Sequence, residues 1–216
     1  MKMSEEIPHK IIDHIRFEVL SPQMIRRISV VEVQTADTYD ESGMPVTSGL
    51  MDGRLGTLEP RQRCQTCGNT AVRCPGHFGH IELATPVIHV EFAGVIYDLL
   101  RSTCRSCGHI LLSSEAIEKY KRKIEHYKET LGRVPDELYK IIMKEAEKSR
   151  ECPHCGFPHN KIRFEKPTTF YEYTEEGVEK LTPSIIREWL ERIPDDDLVL
   201  FGIDPTAMRP EWMVLE

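Results

Sequence analysis

The chain has 216 residues, 40% of them hydrophobic and 29% charged, a balance that excludes both a disordered chain and a membrane-embedded one. No apolar run approaches the roughly 18 residues a spanning helix needs, and the opening Met-Lys-Met-Ser-Glu-Glu-Ile-Pro has no apolar signal core, so secretion is not expected. The net charge of −7 lies entirely in residues 166–216, with 5 Lys/Arg against 12 Asp/Glu, whereas residues 1–165 hold 23 of each; a free-standing DNA binder is therefore not expected.

In chain order, Ile11, Ile12, Ile15, Phe17 and Val19 form a short apolar pattern after Ile7-Pro8. Ser21-Pro22 predicts a helix start, because Ser caps free N–H groups and Pro suits the first turn; Met24, Ile25 and Ile28 give that helix an apolar side. Val30, Val31 and Val33 read as a strand. Residues 34–76 read as one long loop rich in Gly and Pro, improbable in a compact domain unless something else orders it. Ile81 to Val90 reads as extended structure broken at Pro86, and Phe92 to Leu100 as a short helix. Ile117, Tyr120, Ile124, Tyr127 and Leu131 alternate steps of three and four, the stripe of an amphipathic helix capped from Ser113 or Ser114 and ended at Gly132. A second helix from Pro135-Asp136, with Leu138, Ile141 and Ile142, completes an αα-hairpin whose charged faces are expected to be solvated. Lys161–Phe164 and Thr168–Tyr173 predict a β-hairpin around Pro167. Thr182-Pro183 starts another helix, ended by Pro194. The final apolar run, Trp212 to Leu215, suggests a fragment of a longer chain.

The seven cysteines are an odd number, which argues against a closed disulfide framework. Six fall in three C-x2-C-G units: Cys64/Cys67, Cys104/Cys107 and Cys152/Cys155. The two-residue gap lets one tight turn present both sulfurs to a single ion, and the glycine tolerates the left-handed backbone that continues the turn. Cys74 has an imidazole partner in Cys74-Pro-Gly-His77. These four two-ligand units supply eight ligands, enough for two tetrahedral Zn2+ sites. Pairing in chain order gives Cys64, Cys67, Cys74 and His77 across a six-residue gap short enough to close locally. Cys104, Cys107, Cys152 and Cys155 remain, across a 44-residue insert that carries the helical hairpin.

Buried reduced cysteines and iron–sulfur ligation are weaker readings, because chance does not place such units and an imidazole with split pairs favours zinc. Catalytic zinc keeps an open position, whereas each set here is full, so both sites read as structural. His80 competes with His77, but the closer spacing favours His77. His109, His154 and His159 read as neighbours of the second site or as surface, with His154 pointing outward. Seven thiolates and two Zn2+ add −3, bringing the metallated chain to about −10.

No phosphate loop, Gly-x-Ser-x-Gly or His-Glu-x-x-His motif is present. Asp195-Asp196-Asp197 reads as the cap and first turn of a short helix running to Phe201 rather than as an Mg2+ site. One local cationic stretch stands out: Arg54, Arg61, Arg63 and Arg73 against Glu59, or +3.

Gly53-Arg54-Leu55-Gly56-Thr57, Cys64-Gln65-Thr66-Cys67, the segment Cys74-Pro75-Gly76-His77-Phe78-Gly79-His80-Ile81-Glu82-Leu83 and Pro86-Val87-Ile88-His89-Val90 resemble the N-terminal part of the largest subunit of multisubunit DNA-directed RNA polymerases. The version is archaeal or eukaryotic rather than bacterial, and its compactness looks archaeal. The resemblance runs on to Arg209-Pro210-Glu211-Trp212-Met213. It implies a segment of the mobile clamp that closes over DNA and the RNA–DNA hybrid, and it supports pairing the ligands in chain order. It also implies other polymerase subunits and transcription initiation and elongation factors as partners, with no membrane. The location implied is the cytoplasm, or the nucleus if eukaryotic. The family's Asn-Ala-Asp-Phe-Asp-Gly-Asp loop, which carries Mg2+, is absent from this sequence. The segment itself is therefore expected to carry no catalytic residue, although its parent is a nucleotidyltransferase.

The expected fold is α+β: an irregular, zinc-stapled clamp domain with a helical hairpin and small β-sheets. Its parts are residues 1–103 with the first site, 104–165 with the second site and hairpin, and an acidic helical 166–216, together one rigid module. The arginine patch is the candidate nucleic-acid contact. A stand-alone zinc-ribbon adaptor for proteins is the rival reading; a reading frame that continues into the catalytic loop decides against it.

Overall fold

The computed structural model describes residues 12, 13, 15 and 17–216; part of the first apolar pattern, with Ile7, Pro8 and Ile11, lies outside the described residues. The fold is α+β, with six α-helices and two small antiparallel sheets among those residues.

Helix α1 (Pro22–Ile28) starts where the Ser-Pro pair predicts, and the Met24 N–H donates to Ser21 Oγ at 3.1 Å. No residue of α1 is buried, so its apolar side faces solvent rather than a core. Residues 29–80 are held by turns. The expected Val30–Val33 strand is reduced to a single parallel bridge, Glu32 to His80, because its hydrogen bonds go to the loop Phe78–His80. Only Val31, Gly49, Asp52 and Cys64 are buried in this stretch, so it has almost no apolar core.

The extended segment expected over 81–90 shrinks to β1 (Val87–Ile88), which pairs with β5 (Val214–Leu215) at the far end of the chain. Helix α2 (Ala93–Leu100) follows a single 3-10 turn and buries Ala93, Ile96, Leu99 and Leu100. The hairpin is formed by α3 (Ser114–Leu131) and α4 (Asp136–Ala146). Ser113 caps α3 by accepting from the Ala116 N–H, and Gly132 ends it at φ 68°. Tyr120 and Ile124 of the predicted stripe are buried, whereas Leu131 and Ile141 lie on exposed surface. Tyr120 donates its hydroxyl to Glu145 at 2.5 Å across the hairpin, and that hydrogen bond pushes the Tyr120 pKa up to about 12.

The predicted β-hairpin is a three-stranded sheet: β2 (Lys161–Glu165), β3 (Thr169–Thr174) and β4 (Gly177–Leu181), in that order. Helix α5 (Pro183–Glu191) is capped by Thr182 and buries Ile186, Trp189 and Leu190. Helix α6 (Asp195–Leu198) runs into a 3-10 turn over Val199–Phe201.

Two apolar cores result. One joins α2, the three-stranded sheet, α5 and the β1–β5 pair around Phe170 and Trp189. The other fills the α3–α4 hairpin beside Cys104 and Cys152. The 195–201 turn ties them together: Leu198 is buried in the first, Leu200 in the second, and Phe201 packs against both.

Candidate metal centres

Each C-x2-C-G unit folds the same way. The N–H of the first cysteine donates to the carbonyl five residues on, and the glycine N–H donates back to the first cysteine's carbonyl: Cys64 with Asn69 and Gly68, Cys104 with His109 and Gly108, Cys152 with Phe157 and Gly156. An isolated antiparallel bridge closes each turn, at Arg63–Thr70, Thr103–Ile110 and Glu151–Pro158. The three glycines have φ of 70°, 78° and 71°, the left-handed region where a side chain is strained.

This turn aims backbone N–H groups at sulfur. The Thr66 N–H lies 3.4 Å from Cys64 Sγ. The Asn69 N–H bonds Cys67 and lowers its pKa to about 6, and the Phe157 N–H does the same for Cys155, to about 7. Burial acts oppositely on Cys104 and Cys107 and pushes both thiols up. A dication between the sulfurs would supply the field that such thiolates need.

The turns pair in chain order. The ligand atoms of Cys64, Cys67, Cys74 and His77 lie within 4.8 Å of one another, as do those of Cys104, Cys107, Cys152 and Cys155. In the first group Cys67 Sγ is 3.7 Å from Cys74 Sγ, which is 3.7 Å from His77 Nε2. In the second, Cys104–Cys155 and Cys107–Cys152 are each separated by 3.6 Å. A disulfide brings sulfurs to about 2.0 Å. Sulfurs about 2.3 Å from one tetrahedral Zn2+ stand about 3.8 Å apart. The spacing therefore fits zinc, and so do the donor sets, sulfur with one imidazole nitrogen in the first group and sulfur alone in the second. His80 is engaged elsewhere, with Nδ1 2.7 Å from Ser29 Oγ and Nε2 3.3 Å from Glu82.

The Gly53–Thr57 segment threads against the first centre. Gln65 N–H donates to the Gly53 carbonyl, Thr66 Oγ1 to that of Arg54 at 2.6 Å, and His77 N–H to that of Leu55. Gly56, at φ 147°, lies beside the centre, where an added Cβ would stand in ordinary contact with Cys74 Sγ at 3.7 Å. Arg54 forks onto buried Asp52, with Nε to Oδ1 at 2.9 Å and Nη2 to Oδ2 at 2.7 Å. That hydrogen-bonded pair holds the Asp52 carboxyl well below its usual range. Arg61, Arg63 and Arg73 are exposed; Arg63 Nη1 donates to the Gly68 carbonyl at 3.1 Å.

The second centre is bolted to the acidic last quarter. Asp197, read as a first-turn acid of a short helix, is buried, and its Oδ2 accepts from Ile110 N–H and His109 Nδ1, both at 3.1 Å. Arg105 pairs with Glu172 and Glu179 of the sheet, and Arg192 donates to the Arg105 carbonyl at 3.0 Å. Gly108 packs directly on the Arg192 carbonyl. Trp189 Nε1 donates to Thr103 Oγ1 at 3.0 Å, just before Cys104. His154 is exposed, as expected, and it still makes local contacts: Nε2 donates to the Leu112 carbonyl and its ring stacks on His109 at 4.8 Å.

Among the described residues no helix is long and apolar enough to cross a membrane. Comparison with known proteins follows the same motifs. The chain is 51% identical over 211 residues to "DNA-directed RNA polymerase subunit Rpo1N" of Thermococcus celer, covering 95% of this chain and 23% of that protein. It is 49% identical over 206 residues to the protein of that name in Sulfolobus acidocaldarius, again covering 95% and 23%. For the protein of that name in Methanocaldococcus jannaschii the identity is 48% over 210 residues, covering 97% and 16%. The chain thus spans about a quarter or less of the length of these relatives. The family described as RNA polymerase Rpb1, domain 1, matches residues 9–216, which contain every turn and ligand described above, and the chain belongs to that family.

Proposed function

We propose that this chain is the zinc-binding N-terminal clamp segment of the largest subunit of an archaeal DNA-directed RNA polymerase, working in the cytoplasm. The observation that carries the reading is the pair of four-ligand clusters, built on repeated turns, inside the segment the family covers. Cys64, Cys67, Cys74 and His77 hold one Zn2+, and Cys104, Cys107, Cys152 and Cys155 the other. Four protein donors leave no open position for water, so each ion supplies folding free energy rather than hydrolysis.

The need for metal differs between the two sites. The 29–80 stretch buries almost nothing apolar and relies on the first ion for its order. The second ion fixes the base of the α3–α4 hairpin against α5, α6 and the sheet. Residues 1–103, 104–165 and 166–216 then move as one body, which a clamp needs to hold DNA and the RNA–DNA hybrid through elongation. The other polymerase subunits are its partners in assembly, and initiation and elongation factors reach it through the parent clamp. Nucleotidyl transfer belongs to the whole enzyme.

Exposed Arg61, Arg63 and Arg73 contact phosphate, while Arg54 shapes the loop through Asp52. The test uses polymerase assembled with this segment in its largest subunit. The double variant Arg61→Glu/Arg63→Glu is expected to release elongation complexes at lower salt than the parent. Unchanged salt sensitivity would count against phosphate contact. Failure of the segment to enter the enzyme at all would overturn the reading itself.

A further inference from the structure

The two centres shield their sulfurs unequally. In the second, Cys104 and Cys152 are each 2% exposed and belong to the apolar core of the helical hairpin. The sulfurs of Cys155 and Cys107 each have one of those buried sulfurs as a neighbour at 3.6 Å. In the first centre only Cys64 is buried; Cys67 is exposed and Cys74 half-buried. Cys67 Sγ and Cys74 Sγ stand 3.7 Å apart, and neither residue is buried. Cys74 also lines an open cleft of about 370 Å³ with Leu55, Leu58, Pro75 and Gly76. A small solute therefore reaches Cys67 from the surface and Cys74 from the cleft.

The surroundings of the two pairs also differ in how far they can give. A disulfide closes its sulfurs to about 2.0 Å, so a pair 3.7 Å apart joins only where a turn yields. Residues 29–80 bury only Val31, Gly49, Asp52 and Cys64, and an added Cβ at Gly68 or Gly76 meets nothing within 4 Å. The Cys104–Cys107 turn is pinned instead, by Gly108 against Arg192, Trp189 on Thr103 and Asp197 on Ile110. Closing its sulfurs displaces buried packing.

We propose that Cys67 and Cys74 form an oxidation site for hydrogen peroxide, closing to a disulfide that opens the first centre while the second stays intact. The Cys67 thiolate attacks one peroxide oxygen; an S–O bond forms, the O–O bond breaks and hydroxide leaves, giving a sulfenic acid. The Cys74 thiolate then attacks the Cys67 sulfur; the S–S bond forms, the S–O bond breaks and a second hydroxide leaves. Each sulfur gives up one electron, peroxide takes up both, and each hydroxide takes a proton from the buffer to become water. The first centre keeps only Cys64 and His77 as donors, too few for a tetrahedral set, and loses its ion. The 29–80 stretch loosens with it. A dithiol reductant reopens the bond, and added Zn2+ restores the centre. The site rests on the zinc reading above.

The experiment uses the full chain, first assayed for two zinc ions and then treated with an equimolar amount of hydrogen peroxide. A weak chromogenic chelator, silent before peroxide, follows metal release, and tryptic mass mapping locates the bond. Trypsin cuts after Arg63, Arg73 and Arg101, so a Cys67–Cys74 disulfide links residues 64–73 to residues 74–101, and fragmentation separates Cys67 from Cys64. The expected result is one ion released, that linked pair, and unmodified Cys104, Cys107, Cys152 and Cys155, all reversed by dithiothreitol with Zn2+. Cys74→His keeps four donors at the first centre but removes the resolving thiol. Peroxide with dimedone is then expected to label Cys67 and to give no linked pair.

Release of both ions together, a first disulfide in the second centre, or the absence of the 64–73/74–101 link would each overturn the site. An unlabelled Cys67 in a Cys74→His chain that holds two ions would overturn it as well; if that variant loses its metal, the parent's mapping decides. Fewer than two ions before peroxide would defeat the zinc reading itself.

Discussion

Gly108 offers the sharpest test of how the second centre is anchored. It sits at φ 78° and faces the end of α5, where an added Cβ collides with the Arg192 carbonyl and reaches 2.9 Å from the Arg192 Cβ. Gly156 occupies the equivalent place in the partner turn, at φ 71°, and a Cβ there meets nothing within 4 Å. Alanine at either position carries the left-handed strain, about 1–2 kcal/mol. Only Gly108→Ala adds overpacking against backbone, about 1–3 kcal/mol. The expected losses are therefore about 2–5 kcal/mol for Gly108→Ala and about 1–2 kcal/mol for Gly156→Ala. Denaturant unfolding of the zinc-loaded variants, followed by the fluorescence of buried Trp189 and by retained metal, measures both. Equal losses would refute the claim that this turn is locked onto α5.

The same anchoring predicts that Asp197→Ala, which strands the Ile110 N–H in the interior, costs about 1–3 kcal/mol in that assay; an unchanged midpoint would remove Asp197 from the account. Asp52 gives a pH prediction. Arg54 lowers its folded pKa below the ordinary 3.8, so its stabilisation is complete above that value and declines only as pH falls below it. The stability gap between the parent and Asp52→Asn is thus expected to stay level from about pH 8 to 5; a gap that closes within that range contradicts the assignment. Ser113→Ala removes the α3 cap and is expected to cost about 1 kcal/mol, read by denaturant midpoint. No change there would mean the Ala116 N–H is satisfied otherwise.

Spacing alone was enough to group Cys64, Cys67, Cys74 and His77, and Cys104, Cys107, Cys152 and Cys155, because a C-x2-C-G turn is a local structure and its glycine marks the left-handed residue. The α3 stripe and its caps were legible for the same reason. What escaped were the contacts between distant segments. Asp197 reads as an ordinary first-turn acid, yet its role depends on Ile110, 87 residues away. Glu172 and Glu179 look like part of an acidic surface, but the fold turns them onto Arg105. Arg54 counted toward a free cationic patch until Asp52, two residues before it, proved to hold it. Strand β4 was missed because only Leu181 of its five residues is buried, leaving no alternation to read. The Val30–Val33 run was over-read, because β-branched residues there meet a loop rather than a second strand.

The central claim is that two tetrahedral ions hold this loop-rich chain together, and metal analysis tests it directly. The account predicts two zinc ions per chain and cooperative unfolding when a chelator removes them, with the 29–80 stretch losing its order first. One zinc per chain, or none with the fold intact, would contradict it.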